Sequence, residues 1–183
     1  MNIENLKKQY KLRDRMVRAI SKNGHFRVSV VKNSNTAKTA QDSHNLPDLP
    51  ALFLARACSA AMLLASFLKG EERVVIEAEG NGPISKVFAE ALQVGECRGF
   101  VDFSQDKSDW NISEISDALG VGVLKIARVL YNKPEPITGI TELVKGDLST
   151  DLAYYFARSE QVPTAVILDA DFDDKGRIRH SGG

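Results

Sequence analysis

Leu49–Leu68, LPALFLARACSAAMLLASFL, decides how the rest of the chain must fold, because Arg56, Ser59 and Ser66 are its only polar residues. The composition predicts a helix that is apolar nearly all round. Pro50 suits a first helical turn, where its missing N–H needs no partner, and Lys69-Gly70 supplies a basic end and a glycine stop. Such a helix is either wrapped by other elements or inserted in a bilayer. Its eight Leu and Phe contribute about −4 kcal/mol to insertion, and Arg56 near the middle returns about +3 kcal/mol. Burying the same side chains in a protein core yields on the order of 16 kcal/mol, with Arg56 free to pair or to reach the surface. The arithmetic favours a core helix over a membrane span. The alanines and Cys58 then have a structural role, since small faces let strands or another helix approach the backbone closely.

The surrounding composition fits that core. At 183 residues, with 43% hydrophobic and 26% charged residues, one soluble domain over residues 1–183 is expected. Formal net charge is zero, so no global field draws the chain to nucleic acid. The distribution is uneven: Met1–Lys32 carries nine Lys/Arg against Glu4 and Asp14, and Asp147–Asp174 carries seven Asp/Glu against Arg158. A solvated basic face is expected at the start, with phosphates or an acidic segment of a neighbouring chain as the alternative partners. Cys58 and Cys97 have neither a CxxC nor a CxC partner, and the charged start does not read as a cleavable signal peptide. A reducing, cytoplasmic setting follows as an expectation, with Cys58 a small buried hydrophobe.

Working outward, Ile3, Leu6 and Tyr10 recur at helical spacing, which suits a short basic amphipathic helix or a loose arm. Asn23-Gly24 between apolar runs signals a hairpin of strands near 14–20 and 25–31. Thr36 is expected to cap a helix through His44, and NLPDLP breaks the chain before the central helix. RVVIEAEG alternates as a half-buried strand does, and Gly80-Asn81-Gly82-Pro83 is a tight turn. ISKVFAEALQ is ambiguous between strand and helix; a strand paired with ECRGFVDF through Val94-Gly95 is favoured, because ECRGFVDF is rich in aromatic and β-branched residues. SQDKSDWN reads as loop, 112–119 as a short helix, and GVGVLKIARVLY (120–131) and ITGITELV (137–144) as strands. Ser149 is expected to cap a helix, TDLAYYFAR. TAVILDADF, the turn at 173–176 and a return strand RIRH close the pattern. The reading is α+β, with one large mixed, mostly antiparallel sheet packed around the central buried helix.

Motifs for chemistry are sparse. His25, His44 and His180 are isolated, and no His or Cys pair has zinc-ligand spacing. Asp169, Asp171 and Asp173 have the spacing that opens a calcium loop, but Asp174 stands where the sharp turn needs glycine and His180 where a bidentate Glu belongs. The glycines at 80 and 82 lack the GxxxxGK[ST] pattern of a phosphate loop. Ser159 sits in no GxSxG elbow, and no acid/base pair stands out. No catalytic residue, metal ligand or cofactor-binding residue is assigned in this chain.

Several phrases together resemble the heat-shock protein 33 family: AMLLASFLKGEERVVIEAEGNGPI, VGECRGFV, PITGITELVKGDLSTDLAYYFARSEQVPTAV and HSGG. The resemblance covers nearly everything after the first dozen residues, and DLAYYFARSEQVPTAV, residues 151–166, is its most specific phrase. It implies an α+β core domain of a cytoplasmic, ATP-independent holdase chaperone that binds unfolding proteins under oxidative heat stress. It also implies a homodimer, with exchange of elements between chains as one form. Family members continue past a glycine pair like Gly182-Gly183 into a linker and a small zinc domain, whose CxC and CxxC hold the metal and form disulfides on oxidation. Cys58 and Cys97 match none of those ligands. The expectation is a chaperone core separated from its zinc-bearing redox switch.

A holdase needs apolar surface that is hidden at rest, because a large permanent patch self-associates. With the cover gone, part of the sheet is expected to lie bare. The candidate client-binding positions are Val87, Phe88, Phe100, Val101 and Phe103 on the middle hairpin, although alternation puts one face of any strand into the core. Two other classes compete: a nucleic-acid-binding module using the basic N-terminus, with strong salt dependence, and a hydrolase built from residues distant in sequence. Neither nucleic acid nor membrane is expected as a partner.

Overall fold

The computed structural model describes residues 3–106, 110, 112–131 and 133–183. In chain order the elements are α1 (Ile3–Leu12), β1 (Arg15–Ile20), β2 (Arg27–Lys32), α2 (Ser34–His44), α3 (Asp48–Ala65), β3 (Arg73–Gly80), β4 (Ile84–Leu92) and β5 (Cys97–Phe103). A 3-10 turn (Ile115–Ala118) leads to β6 (Gly122–Val129), β7 (Ile137–Glu142) and α4 (Leu148–Tyr155), which runs on as a π-turn (Phe156–Glu160). β8 (Asp169–Phe172) and β9 (Ile178–Gly182) follow.

The α+β class holds, but the strands divide into two sheets, ordered β1-β2-β9-β8 and β5-β4-β3-β6-β7. Every pairing in both is antiparallel, so the expected single mixed sheet is corrected. The reason lies in α3, which packs against β3, β4 and β5 of one sheet and β2, β8 and β9 of the other. A helix apolar all round needs cover on more than one side, and one open sheet covers only one. α3 is long and apolar enough to cross a membrane, yet 72% of it is buried within the protein. Phe53, Leu54, Val74, Ile76, Ile84, Val87, Leu124, Ile126, Leu148 and Leu152 form the heart of the core around it.

Arg56, the one basic residue in α3, pairs with carboxylates from two other elements. It donates to Asp147 Oδ1 and to Asp169 Oδ1, each at 3.0 Å, and so ties α3 to the start of α4 and to β8. Buried polar side chains make further ties. Asn33, Ser59 and Ser181 are buried together, with Ser59 Oγ donating to Asn33 Oδ1 at 3.0 Å. Gln41 accepts from Ile178 N and donates to Gly176 O, both at 2.8 Å. The HSGG phrase therefore lies inside the fold: Gly183 exchanges two backbone hydrogen bonds with Val31, at 2.9 and 3.0 Å.

The helix starts show how local expectation and fold differ. Thr36 does not cap α2; Asp14 does, accepting from Asn35 N at 2.9 Å and from Thr36 N at 2.7 Å, because a carboxylate from the connection between α1 and β1 reaches the orphan N–H groups. Asp147, two residues before Ser149, caps α4 and accepts from Thr150 N. Ser149 instead bonds the Leu168 backbone, and the strand expected over 164–172 is confined to Asp169–Phe172. The helix expected over 112–119 is a single 3-10 turn. α1 is a helix with Ile3 and Tyr10 exposed; the Leu6 side chain, residues 107–109 and 111 of the expected loop, and Asn132 lie outside the described residues.

Candidate functional site

Among the described residues no group of three His, Cys, Asp or Glu gathers to hold a metal ion, so the zinc that the resemblance implies has no fitting ligand set among them. The aspartates at 169, 171 and 173 diverge: Asp169 pairs with Arg56, Asp171 with Arg179 and His180, and Asp173 accepts from the backbone of Lys175 and Arg177. At the glycine turn, Gly82 N donates to Leu119 O at 2.9 Å and Asn81 Oδ1 accepts from Val121 N at 2.9 Å, so these groups are spent on the protein itself. Gly80 is required there, since a Cβ would stand 2.0 Å from Leu119 O. Ser159 is exposed at the end of the π-turn, and a Cβ on Gly139 would stand 2.6 Å from both its Oγ and the Tyr155 hydroxyl. Tyr155 in turn donates to Glu160, which pairs with Arg128. A shallow groove of about 450 Å³ beside Pro83, Val101 and Phe103 has Asp102 as its one charged lining residue. The described surface is thus better read for its apolar and charged faces than for a cleft.

The five candidate positions on the middle hairpin fall on opposite faces. Cross-strand pairing sets Val87 opposite Val101 and Phe88 opposite Phe100. Val87 and Val101 are buried on the α3 side, so their expected outward orientation is corrected by the register. Phe103 lies opposite Ile84, half-buried, with Trp110 edge-on at 6.2 Å. Phe88 and Phe100 are half-buried on the outer face, stacked at 5.1 Å between centroids.

That outer face is not bare. Register runs Phe100, Phe88, Glu77, Lys125, Ile140 straight across the sheet. Lys86 bridges Glu77 at 3.0 Å and Glu79 at 2.7 Å, and Lys125 reaches Glu77 at 3.5 Å. Buried Glu90 takes Arg73 at 3.2 Å and Arg98 at 2.5 Å. The hydrogen bond from Lys86, and then its charge, hold the Glu79 carboxyl below the usual range. The aromatic pair lies among ion pairs, and Ile140, exposed at the far end of the same row, is a second apolar group on this face.

A second exposed apolar row lies on the β1–β2 hairpin. Register sets Val17 opposite Val30 and Ala19 opposite Val28. Val17, Val28 and Val30 are 57%, 54% and 53% exposed, and Ile20 and Phe26 beside the loop are also exposed. The opposite face of the same hairpin is tied down: Ser29 bonds Ser66, Arg18 donates to Ser66 O, and the Arg27 guanidinium lies 3.9 Å from the Phe67 ring centroid. These contacts, together with Arg15 over Tyr10 at 5.0 Å, commit three of the nine basic residues of the start, Arg15, Arg18 and Arg27, to intramolecular partners. The signal for the valine face was present in MVRAI and RVSVV, whose alternation about the Asn-Gly loop aligns the valines on one side.

Comparison with known proteins bears on what these faces are for. The profile of a family described as "Hsp33 protein" matches residues 14–183. A 33 kDa chaperonin of Aquifex aeolicus is 33% identical over 188 residues, covering 98% of this chain and 58% of the relative. One from Desulforamulus reducens is 34% identical over 175 residues, covering 94% and 59%. The crystal structure of the 33 kDa chaperonin (heat shock protein 33 homolog) from Thermotoga maritima superimposes with a TM-score of 0.81 at 30% identity, over 92% of this chain and 58% of that one. The chain therefore spans under two thirds of the length of these relatives.

Proposed function

The chain belongs to the Hsp33 family, and from that premise we propose that it is the client-binding core of an ATP-independent holdase chaperone. Its partners are unfolding polypeptides, captured in the cytoplasm under heat and oxidative stress and held back from aggregation. The single observation that carries the reading is the outer face of the β1–β2 hairpin, where Val17, Val28 and Val30 stand side by side in solvent. A row of β-branched side chains accepts many sequences, because apolar contact is non-directional and an unfolding chain offers apolar side chains in any order. Phe88 and Phe100 form a second, smaller contact. Phe103 contributes at the rim of its groove, and Val87 and Val101 join only on opening of the hairpin from α3. The working form is a homodimer, and zinc and the switch cysteines belong to the part of the family's length that this chain does not span.

Light scattering of a heat-denaturing client provides the test. Added near equimolar to client, the chain is expected to suppress the rise in scattering, and to do so equally at 0.1 and about 1 M salt, since apolar capture does not depend on screened charges. Undiminished scattering overturns the reading. Suppression that collapses with salt points instead to a charged binding module.

A further inference from the structure

Two thiols far apart in the chain meet where α3 crosses β5. The crossing is close because Gly99 lacks a side chain: a Cβ there would stand 2.9 Å from Leu54 Cδ1 and 2.4 Å from Phe88 O. One turn further along the helix from Leu54 is Cys58, and two residues back along the strand from Gly99 is Cys97. A helical turn advances about 5.4 Å and two strand residues about 6.6 Å, so the contact at Leu54 and Gly99 continues directly to the cysteines. Cys97 Sγ stands 3.9 Å from the Cys58 carbonyl oxygen, 39 residues away in sequence, and both thiols are free.

The two differ in access. Cys58 is 1% exposed, whereas Cys97, at the first position of β5, is half-buried beside the exposed turn at 94–96. A hydrogen bond with the Cys97 side chain, burial and the proximity of a second ionisable thiol all push the Cys58 pKa well above its ordinary value. Cys58 therefore stays protonated, and Cys97 is the sulfur that a small oxidant meets first.

We propose that Cys58 and Cys97 are an oxidisable pair that a hydroperoxide closes into an intramolecular disulfide, stapling the start of β5 to the middle of α3. Hydrogen peroxide takes two electrons from the Cys97 thiol, giving a sulfenic acid and one water. The Cys58 sulfur then attacks the Cys97 sulfur and displaces its hydroxyl, which leaves as a second water with the Cys58 proton. The closed loop contains β3, β4 and the turn to β5, whose unfolding it opposes. The pair is separate from any switch in the rest of the family's length, and the inference does not rest on the chaperone reading, since closure is read from mass and client capture from scattering.

The test treats the reduced 183-residue chain with hydrogen peroxide, quenches, denatures, and adds N-ethylmaleimide before intact-mass analysis. The expected product is about 2 Da lighter than the reduced chain and takes no maleimide, against two adducts before oxidation, and dithiothreitol restores both. A tryptic peptide pair joined through Cys58 and Cys97 is expected, with no cross-linked dimer on a non-reducing gel. Cys97→Ser is expected to leave Cys58 fully alkylated after peroxide, and Cys58→Ala to leave a Cys97 sulfenic acid that dimedone traps. Should Cys58→Ala fail to fold, the unsubstituted chain decides alone. Two adducts after peroxide, a Cys97 sulfinic acid about 32 Da heavier with Cys58 still free, or disulfides only between chains would each overturn the proposal.

Discussion

Two antiparallel faces of this molecule follow the same period of two and arrive at opposite surfaces. The outer face of the five-stranded sheet carries Glu77, Glu79, Lys86, Glu90, Arg98 and Lys125 in ion pairs, with one stacked Phe88–Phe100 pair between them. The outer face of the β1–β2 hairpin carries Val17, Val28 and Val30. The first pairs its charged groups within the sheet, the nearly buried Glu90 with both Arg73 and Arg98. The second leaves three adjacent valines in water. The proposed client-binding role rests on the smaller, peripheral sheet, while the larger one packs its inner face against α3.

The largest expected effect breaks that comparison at its apolar side. Val17→Glu with Val30→Lys places opposite charges directly across the hairpin, which preserves strand pairing, and Val28→Thr keeps a β-branched residue beside them, opposite Ala19. The triple variant is expected to need tenfold or more protein for the same suppression of client scattering, with its denaturant midpoint within about 1 kcal/mol of the parent. The matched change on the other face, Phe88→Ser with Phe100→Ser, is expected to weaken suppression only about twofold. Equal loss from the two would show that no preference separates the faces.

The charged side yields a smaller effect, confined to stability. Glu90→Ala removes a carboxylate whose side chain is 6% exposed, but its partners Arg73 and Arg98 are 46% and 76% exposed and turn to water once released. The cost is expected to be about 1 kcal/mol in urea unfolding, well short of the penalty for stranding a buried charge, with client suppression unchanged. A loss of suppression at constant stability would move part of the binding surface onto this sheet.

How much of this the sequence discloses depends on the range of the interaction involved. α3 is legible because twenty residues of apolar composition admit few environments, and β3 is legible because its alternation is local, whereas β4 reads as a strand only through its β-rich partner β5. The end of α3 at Ala65 and the cap of α4 at Asp147 differ from expectation by two or three residues, where several side chains compete for the same orphan groups. The division into two sheets is not local: it is set by which strands α3 needs on each side. The same holds for Asp14, which caps a helix from 21 residues away, and for Cys58 and Cys97, brought together only by the crossing at Gly99. For the candidate site, alternation alone could separate Val87 from Phe88, yet which of the two faced out depended on where α3 lay. The valine face was equally visible in two short strands, and its exposure follows from the opposite face being the one that meets Ser66 and Phe67.

The smallest expected effect concerns acid, and here two carboxylates pull in opposite directions. Glu79, about half exposed, has its pKa lowered from 4.5 by the hydrogen bond and charge of Lys86, so its contribution is complete above the unfolded value and is lost as pH falls below 4.5 through the lowered one. Asp151 is buried in the first turn of α4, accepting from Val144 N at 2.7 Å and Lys145 N at 2.9 Å; burial raises its pKa above 3.8 in spite of those bonds. A raised acid favours the protonated fold, so its ionisation erodes stability as pH climbs from 3.8 through the raised value. Glu79→Gln is therefore expected to flatten the acid limb of a Tm–pH curve below 4.5, and Asp151→Asn to remove a decline on the other side of 3.8 while keeping an oxygen for the two N–H donors. The hairpin valines carry no proton at all. Client capture that tracks neither variant, once stability is held constant, is what separates a face built of ion pairs from one built of hydrocarbon.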